Sequence, residues 1–268
     1  MRVFCLVLLG SVLVAGSCFA HVQMLAPVSE GGKTPSGAVC SLDIRLLEHA
    51  SQNGPVLPSG KPLQVGVLVN KKKTDLLSVV QNKEAGGQPA YAAAYTMKEA
   101  GAHVFYLQPA PYWEPAEQVM VTHYAKVIIN SCPAALPTES HMGWENWEGW
   151  DTLIGLPVEI EPQVQCTSLW TGSEFVGTVR LHGKAVPNCR VEVEYLNEAG
   201  AVKLPDNSYM THILKTNAKG EFSYVPVRAG WWALTAIPET TETAQSPEGK
   251  TVKAELGGVL WIRCVDMK

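Results

Sequence analysis

Three histidines of this 268-residue chain stand where nitrogen-donor chemistry is within reach: His21, His103 and His123. Residues 1–20 read as a secretory signal, with Arg2 as the n-region charge, an apolar run from Val3 to Val14, and the ending Cys18-Phe19-Ala20. Cleavage after Ala20 makes His21 the first residue of the exported chain. Its α-amino nitrogen and imidazole then lie on one residue and can chelate a single late transition metal. His103 shares a strand face with Phe105 and Leu107, and His123 shares one with Val121, Ala125 and Val127. Both rings are therefore expected to point into apolar surroundings. Either one alone reads as a hydrogen-bonded core histidine. Joined to the amino-terminal chelate, with His103 or a carbonyl oxygen completing the shell, they suit nickel, cobalt or copper. His141 is a further candidate, in a Trp-rich stretch, whereas His49, His182 and His212 read as surface or turn residues.

Other chemistries find no signature. There is no GxSxG elbow, no HExxH helix and no Gly-rich phosphate loop, so the chain is not expected to be an enzyme. Without Arg2 the exported part holds 20 basic and 25 acidic residues, net −5, with no basic stripe. Phosphate binding needs clustered Lys and Arg, which disfavours a nucleic-acid partner. No second apolar run reaches the ~20 residues of a membrane span, so no transmembrane helix is expected in the mature chain. The expected location is the periplasm; Ala15-Gly-Ser-Cys18 loosely resembles a lipobox, which makes lipid anchoring at Cys18 the minority outcome. Cys40, Cys132, Cys166, Cys189 and Cys264 survive cleavage. They show no CxxC spacing for structural zinc, and up to two disulfides are expected. The expected pairs are Cys40 with Cys132, and Cys264 with Cys166 or Cys189.

The elements that must position these residues are strands. Phe175–Leu181 alternates, and in Cys189–Tyr195 the residues Val191, Val193 and Tyr195 face one way while Arg190, Glu192 and Glu194 face the other. Asn217-Ala-Lys-Gly220 reads as a turn joining His212–Thr216 to Glu221–Val225 as a hairpin. Strands are also expected at Leu63–Val69, Ala102–Leu107, Val119–Ile129, Leu156–Ile160, Trp231–Ile237 and Val259–Cys264. One short helix, capped by Thr74 or Asp75, is expected through Leu76–Gln81. The fold class is all-β, with two antiparallel β-sandwich domains after the signal (21–162 and 163–268), the second Ig-like or transthyretin-like. GWENWEGW, with Trp144, Trp147 and Trp150, offers an alternative role. Tryptophans beside Glu145 and Glu148 can stack on sugars, which would make the chain a non-enzymatic envelope or glycan-binding module.

Several stretches carry a family resemblance. They are His21–Pro27, Val69–Leu77, Phe105–Glu117, Thr122–Val127, Gly149-Trp-Asp, Gly155–Pro162, Lys215–Phe222, Arg228–Trp232 and Glu255–Trp261. In order and extent the chain resembles the bacterial exported nickel-uptake substrate-specific family, periplasmic partners of nickel and cobalt transporters. The resemblance implies capture of nickel or cobalt as cargo and its transfer to membrane transporter components. It places His21 and His123 at family-typical positions and His103 where relatives carry other side chains.

Overall fold

The computed structural model describes residues 21–27, 33–52, 55–132 and 148–267. The first part of the chain forms β1 (Val22–Pro27), β2 (Lys33–Pro35), β3 (Val39–Leu47), β4 (Val56–Leu57) and β5 (Gln64–Val69). It continues with β6 (Lys72–Asp75), β7 (Gln81–Ala85), β8 (Gln88–Thr96), β9 (Gly101–Gln108), β10 (Tyr112–Glu114) and β11 (Val119–Cys132). The second part forms β12 (Val158–Pro162), β13 (Leu169–Trp170), β14 (Phe175–Leu181), β15 (Lys184–Ala185) and β16 (Arg190–Tyr195). It ends with β17 (His212–Lys215), β18 (Glu221–Tyr224), β19 (Gly230–Ile237), β20 (Thr243–Gln245) and β21 (Thr251–Val265).

These strands build an all-β sandwich of three layers. The central layer runs β17-β16-β19-β21-β11-β9-β5-β6 and draws on both parts of the chain. The join is made by β11 and β21, which pair in parallel from Val119–Lys253 to Val127–Trp261. One outer layer, β1-β3-β8-β7 with β4, covers one face, and the other, β12-β14-β15 with β18, covers the opposite face. Central strands are thus apolar on both sides, as strands buried between two layers must be. Phe105, Leu107, Ala125, Val127 and Trp261 pack toward the first outer layer. Val104, Tyr106, Tyr124, Leu260 and Ile262 pack toward the second. At the edge, Asn70 and Lys71 take φ of 46° and 64°, the two left-handed positions of a tight hairpin between β5 and β6. The exposed Lys72-Lys73-Thr74-Asp75 edge blunts further pairing with charge. Among the described residues no helix is long and apolar enough to cross a membrane.

Several expectations are corrected. The helix shrinks to one 3₁₀ turn, Leu77–Val79, whose Leu77 N–H donates to Asp75 Oδ1 at 2.9 Å. The Asn217–Gly220 turn forms, with Asn217 Oδ1 accepting from the Lys219 and Glu221 N–H groups. It does not make a hairpin, because β17 pairs with β16 and β18 with β14. The turn instead carries the chain from one layer to another. Cys40, Cys166, Cys189 and Cys264 are buried free thiols, so neither expected disulfide forms. Burial pushes Cys40 up to about 11 and Cys166 and Cys189 up to about 12, so each is a protonated thiol at neutral pH.

The face of β16 opposite Val191 is covered by the rest of the fold. Glu192 and Glu194 are each 2% exposed. Glu194 Oε2 accepts from the Ala50 N–H at 2.7 Å, while its Oε1 takes the Thr211 hydroxyl and lies 3.3 Å from His49 Nδ1. His49, read as a surface residue, therefore clasps the loop after β3 onto β16. The Glu194 hydrogen bond raises the His49 pKa against the opposing effect of burial. The folded ring binds its proton more tightly than the unfolded one does. Its stabilisation is therefore fully present below about pH 6.5 and is lost as pH climbs through the raised folded value. In urea melts, the stability gap between wild type and His49→Gln should narrow steadily as pH rises above about 6.5. A gap that stays constant would show that no such clasp operates.

Candidate functional site

The first strand supplies the site. β1 is the edge of its layer, and its outward carbonyls are taken by side chains of the central sheet. His123 Nδ1 donates to the His21 carbonyl at 2.9 Å, and Trp261 Nε1 donates to the Gln23 carbonyl at 2.9 Å. These pins satisfy buried backbone acceptors that edge pairing leaves over. They also bring His21 (5% exposed) and His123 (4% exposed) to one place. Both rings line a cleft of about 40 Å³ with Gln23, Tyr112 and Val121. A space of that size admits an ion or a few waters and excludes a sugar ring or a drug-sized molecule.

Two carboxylates complete the arrangement. Glu114 Oε2 lies 3.5 Å from His21 Nε2, and Tyr112 meets the His21 ring edge-on with centroids 5.2 Å apart. Burial lowers the His21 pKa; Glu114 opposes this and His123 adds to it, so the ring is held neutral. A neutral ring carries one proton, on Nδ1 or on Nε2, and a carboxylate on the Nε2 side favours the Nε2–H form. Nδ1 is the nitrogen able to close a chelate with the α-amine of the same residue. Glu114 stands against the ring on its Nε2 side.

His123 obeys a different count. A carbonyl only accepts, so Nδ1 must carry hydrogen. Nε2 lies 3.1 Å from Glu255 Oε1, and those two atoms need one proton between them. Burial pushes the Glu255 carboxyl up, but the hydrogen bond and charge of His123, with Arg190 and Lys253, outweigh it and hold the pKa below the usual range. The ring fits its slot because Gly257 is its neighbour in the β11–β21 ladder. A Cβ at Gly257 would come within 2.4 Å of His123 Cδ2.

His103 does not join this cleft. Its partner in the β9–β11 ladder is Ile129, six positions along β11 from His123, which is roughly 20 Å. Its Nδ1 donates to the Gly101 carbonyl at 3.1 Å. Strand parity rightly gives its burial, but register carries it to the other end of the core. His141, Trp144 and Trp147 lie outside the described residues. Trp150 lines a separate depression of about 520 Å³ with Asn70, Lys71, Glu148 and Asp151. Glu114 and Glu255 are the site residues that sequence reasoning passed over. Glu114 lies inside the Phe105–Glu117 stretch, and Glu255 stands two positions before Gly257 on the same strand face, but neither position announces a partner without the ladder. Among the described residues no group of three or more His, Cys, Asp or Glu side chains is placed to hold a metal ion. A closed shell at His21 therefore needs a donor beyond these side chains, and trimming before His21 would supply one.

An all-β sandwich with a small buried His–Glu cleft at its first strand is the class that fold and site define. The chain belongs to the family described as a domain of unknown function (DUF4198), whose model matches residues 18–240. No functionally curated protein matches it. Among solved structures it is similar to a 1.5-MDa bacterial ice-binding adhesin, at 11% identity over 92% of this chain and 65% of that one, TM-score 0.23. It is similar also to dimeric latent PorU from Porphyromonas gingivalis, at 10% identity over 90% of this chain and 20% of that one, TM-score 0.25. The D00-D0 domain of Intimin matches at 13% identity over 91% of this chain and all of that one, TM-score 0.21. The chain thus spans less than two thirds of the adhesin chain and a fifth of the PorU chain.

Proposed function

We propose that the exported chain, trimmed to begin at His21, captures a nickel or cobalt ion in the β1 cleft and passes it to a membrane transporter. The observation that carries this reading is the His123 Nδ1 bond to the His21 carbonyl, which seats two imidazoles in one ion-sized cleft beside Glu114 and Glu255. In this reading the ion takes the α-amine and Nδ1 of His21. His123 Nε2 and Glu255 give up their shared proton to become the opposing donors. Metal binding then releases protons, as it does wherever ligands must deprotonate. Nitrogen donors with carboxylate oxygen suit nickel and cobalt as cargo. Export, the periplasmic location and the transporter partner are supported by the signal-like residues 1–20 and by the resemblance of His21–Pro27 and Thr122–Val127 to the nickel-uptake family.

Calorimetric titration with nickel tests this directly. Protein beginning at His21 should bind one equivalent, and protein carrying one extra alanine before His21 should bind at least ~100-fold more weakly, because an amide nitrogen no longer donates as an amine. Equal affinities would remove the amino terminus from the site.

A further inference from the structure

The buried polar atoms that the β1 cleft leaves unused gather at the opposite end of β9 and β11. His103 is wholly enclosed, and its Nδ1–H bond to the Gly101 carbonyl leaves the lone pair on Nε2. Among the described residues that Nε2 has no hydrogen-bond partner. Gly101 lies opposite Ser131 in the β9–β11 ladder, and Ser131 lies opposite Thr34 in the β2–β11 ladder. The Ser131 and Thr34 hydroxyls are buried and unpartnered as well. Across the core on β3, the Cys40 thiol is 1% exposed. The Thr34 hydroxyl lies near enough to draw the Cys40 pKa down slightly, without closing a hydrogen bond of good geometry. Tyr95, the cross-strand partner of Cys40, sets its ring 5.8 Å from the His103 ring. One end of the core thus holds a thiol, an imidazole lone pair and two hydroxyls. An acceptor buried without a partner is destabilising, so a ligand that uses it is favoured.

We propose that Cys40 Sγ and His103 Nε2 form a second, separate site for a soft monovalent d¹⁰ cation such as Cu(I). The donor pair selects the ion. Thiolate and imidazole are the ligands of soft and borderline metals, and two of them satisfy a cation that tolerates low coordination. Charge selects it further. The carboxylate that His103 senses is Glu99, which is exposed and hydrogen-bonded to Asn70. One thiolate therefore neutralises a +1 ion, while a divalent ion would leave uncompensated charge among Phe105, Tyr95 and their neighbours. Binding forms an S–metal and an N–metal bond, breaks the S–H bond and sends that proton to solvent. No oxidation state changes.

The test uses reduced protein beginning at His21, held without oxygen. It is titrated with Ag(I) as a redox-inert probe and with Cu(I) against a chromophoric chelator. One tight equivalent is expected, and it should persist in His123→Gln and in the alanine-extended chain, independently of what happens to nickel. His103→Gln keeps all five thiols of the exported chain and should weaken binding at least ~100-fold, since it removes a direct ligand. X-ray absorption on wild-type protein loaded with one equivalent of Cu(I) should show one nitrogen and one sulfur, which decides the matter even if His103→Gln fails to fold. Unchanged affinity in a folded His103→Gln, a sulfur-only shell, or Cys40 found in a disulfide in the exported protein would each overturn the proposal.

Discussion

Glu159→Ala should destabilise the protein by about 3–5 kcal/mol, the range seen when one member of a buried ion pair is removed. At 2–4 °C per kcal/mol for a chain of this size, the melting temperature should fall by on the order of 10 °C. The size of the effect follows from how completely this carboxylate is used. Oε1 accepts from the Leu156 N–H at 2.6 Å and from the Gly155 N–H, while Oε2 accepts from the Ile154 N–H at 2.9 Å and from Lys126 Nζ at 3.2 Å. The side chains of Lys126 and Glu159 are 2% and 3% exposed. Alanine would strand an ammonium and three backbone donors at once. The ammonium and the backbone can be told apart. Lys126→Met leaves the carboxylate with its three N–H donors and should be the milder change. Lys126→Met/Glu159→Leu removes the charge problem yet leaves three unmet N–H groups, at about 1–3 kcal/mol each if they stay dry, so it should remain well below wild type. Thermal melts of the three variants measure this ordering. Glu159→Ala within 1 kcal/mol of wild type would mean that the carboxylate does not organise residues 154–156.

Gly257→Val should destabilise the fold and, on the proposed function, abolish nickel binding with it. The new Cβ would stand 2.4 Å from His123 Cδ2, 2.8 Å from Nε2 and 2.9 Å from Cγ. A flat ring held at both nitrogens cannot slip aside as a flexible chain tip could. The cost of such overpacking is about 1–3 kcal/mol, and the displaced ring would lose its bonds to His21 and Glu255. A double-mutant cycle isolates the contact. In a Gly257→Val background, His123→Ala should cost much less than in wild type, because the clash disappears with the ring. Strictly additive losses would show that the ring does not occupy the space beside Gly257. Denaturation measures the cycle, and nickel titration of the folded variants reads the site.

Much of the local structure was legible in the chain. The alternation in Phe175–Leu181 gives β14 to the residue, and the odd-numbered face of β11 carries His123 with Ala125 and Val127 into the core beneath the first outer layer, while the even-numbered face, equally buried, meets the second. The Asn217–Gly220 turn was legible as a turn, because Asn and Gly supply its hydrogen bonds and its positive φ locally. What it connects was not. Pairing partners are chosen by layers that lie far apart in sequence, so an apparent hairpin became a crossover between sheets. The polar face of β16 shows the same limit: alternation tells that Glu192 and Glu194 face away from Val191, and only the fold tells that Ala50 and His49 meet Glu194.

Residue type and period-2 spacing by themselves determined an all-β chain and inward-facing His103 and His123, because each of these depends only on neighbours a few positions away. Only the tertiary structure decided that His123 meets the His21 carbonyl while His103 lies at the far end of the core, that Glu114 and Glu255 stand against the His21 and His123 rings, and that β11 and β21 run side by side. Those outcomes depend on ladder register between distant strands, where a shift of two residues keeps every side chain on its proper face and still moves a ligand by about 7 Å.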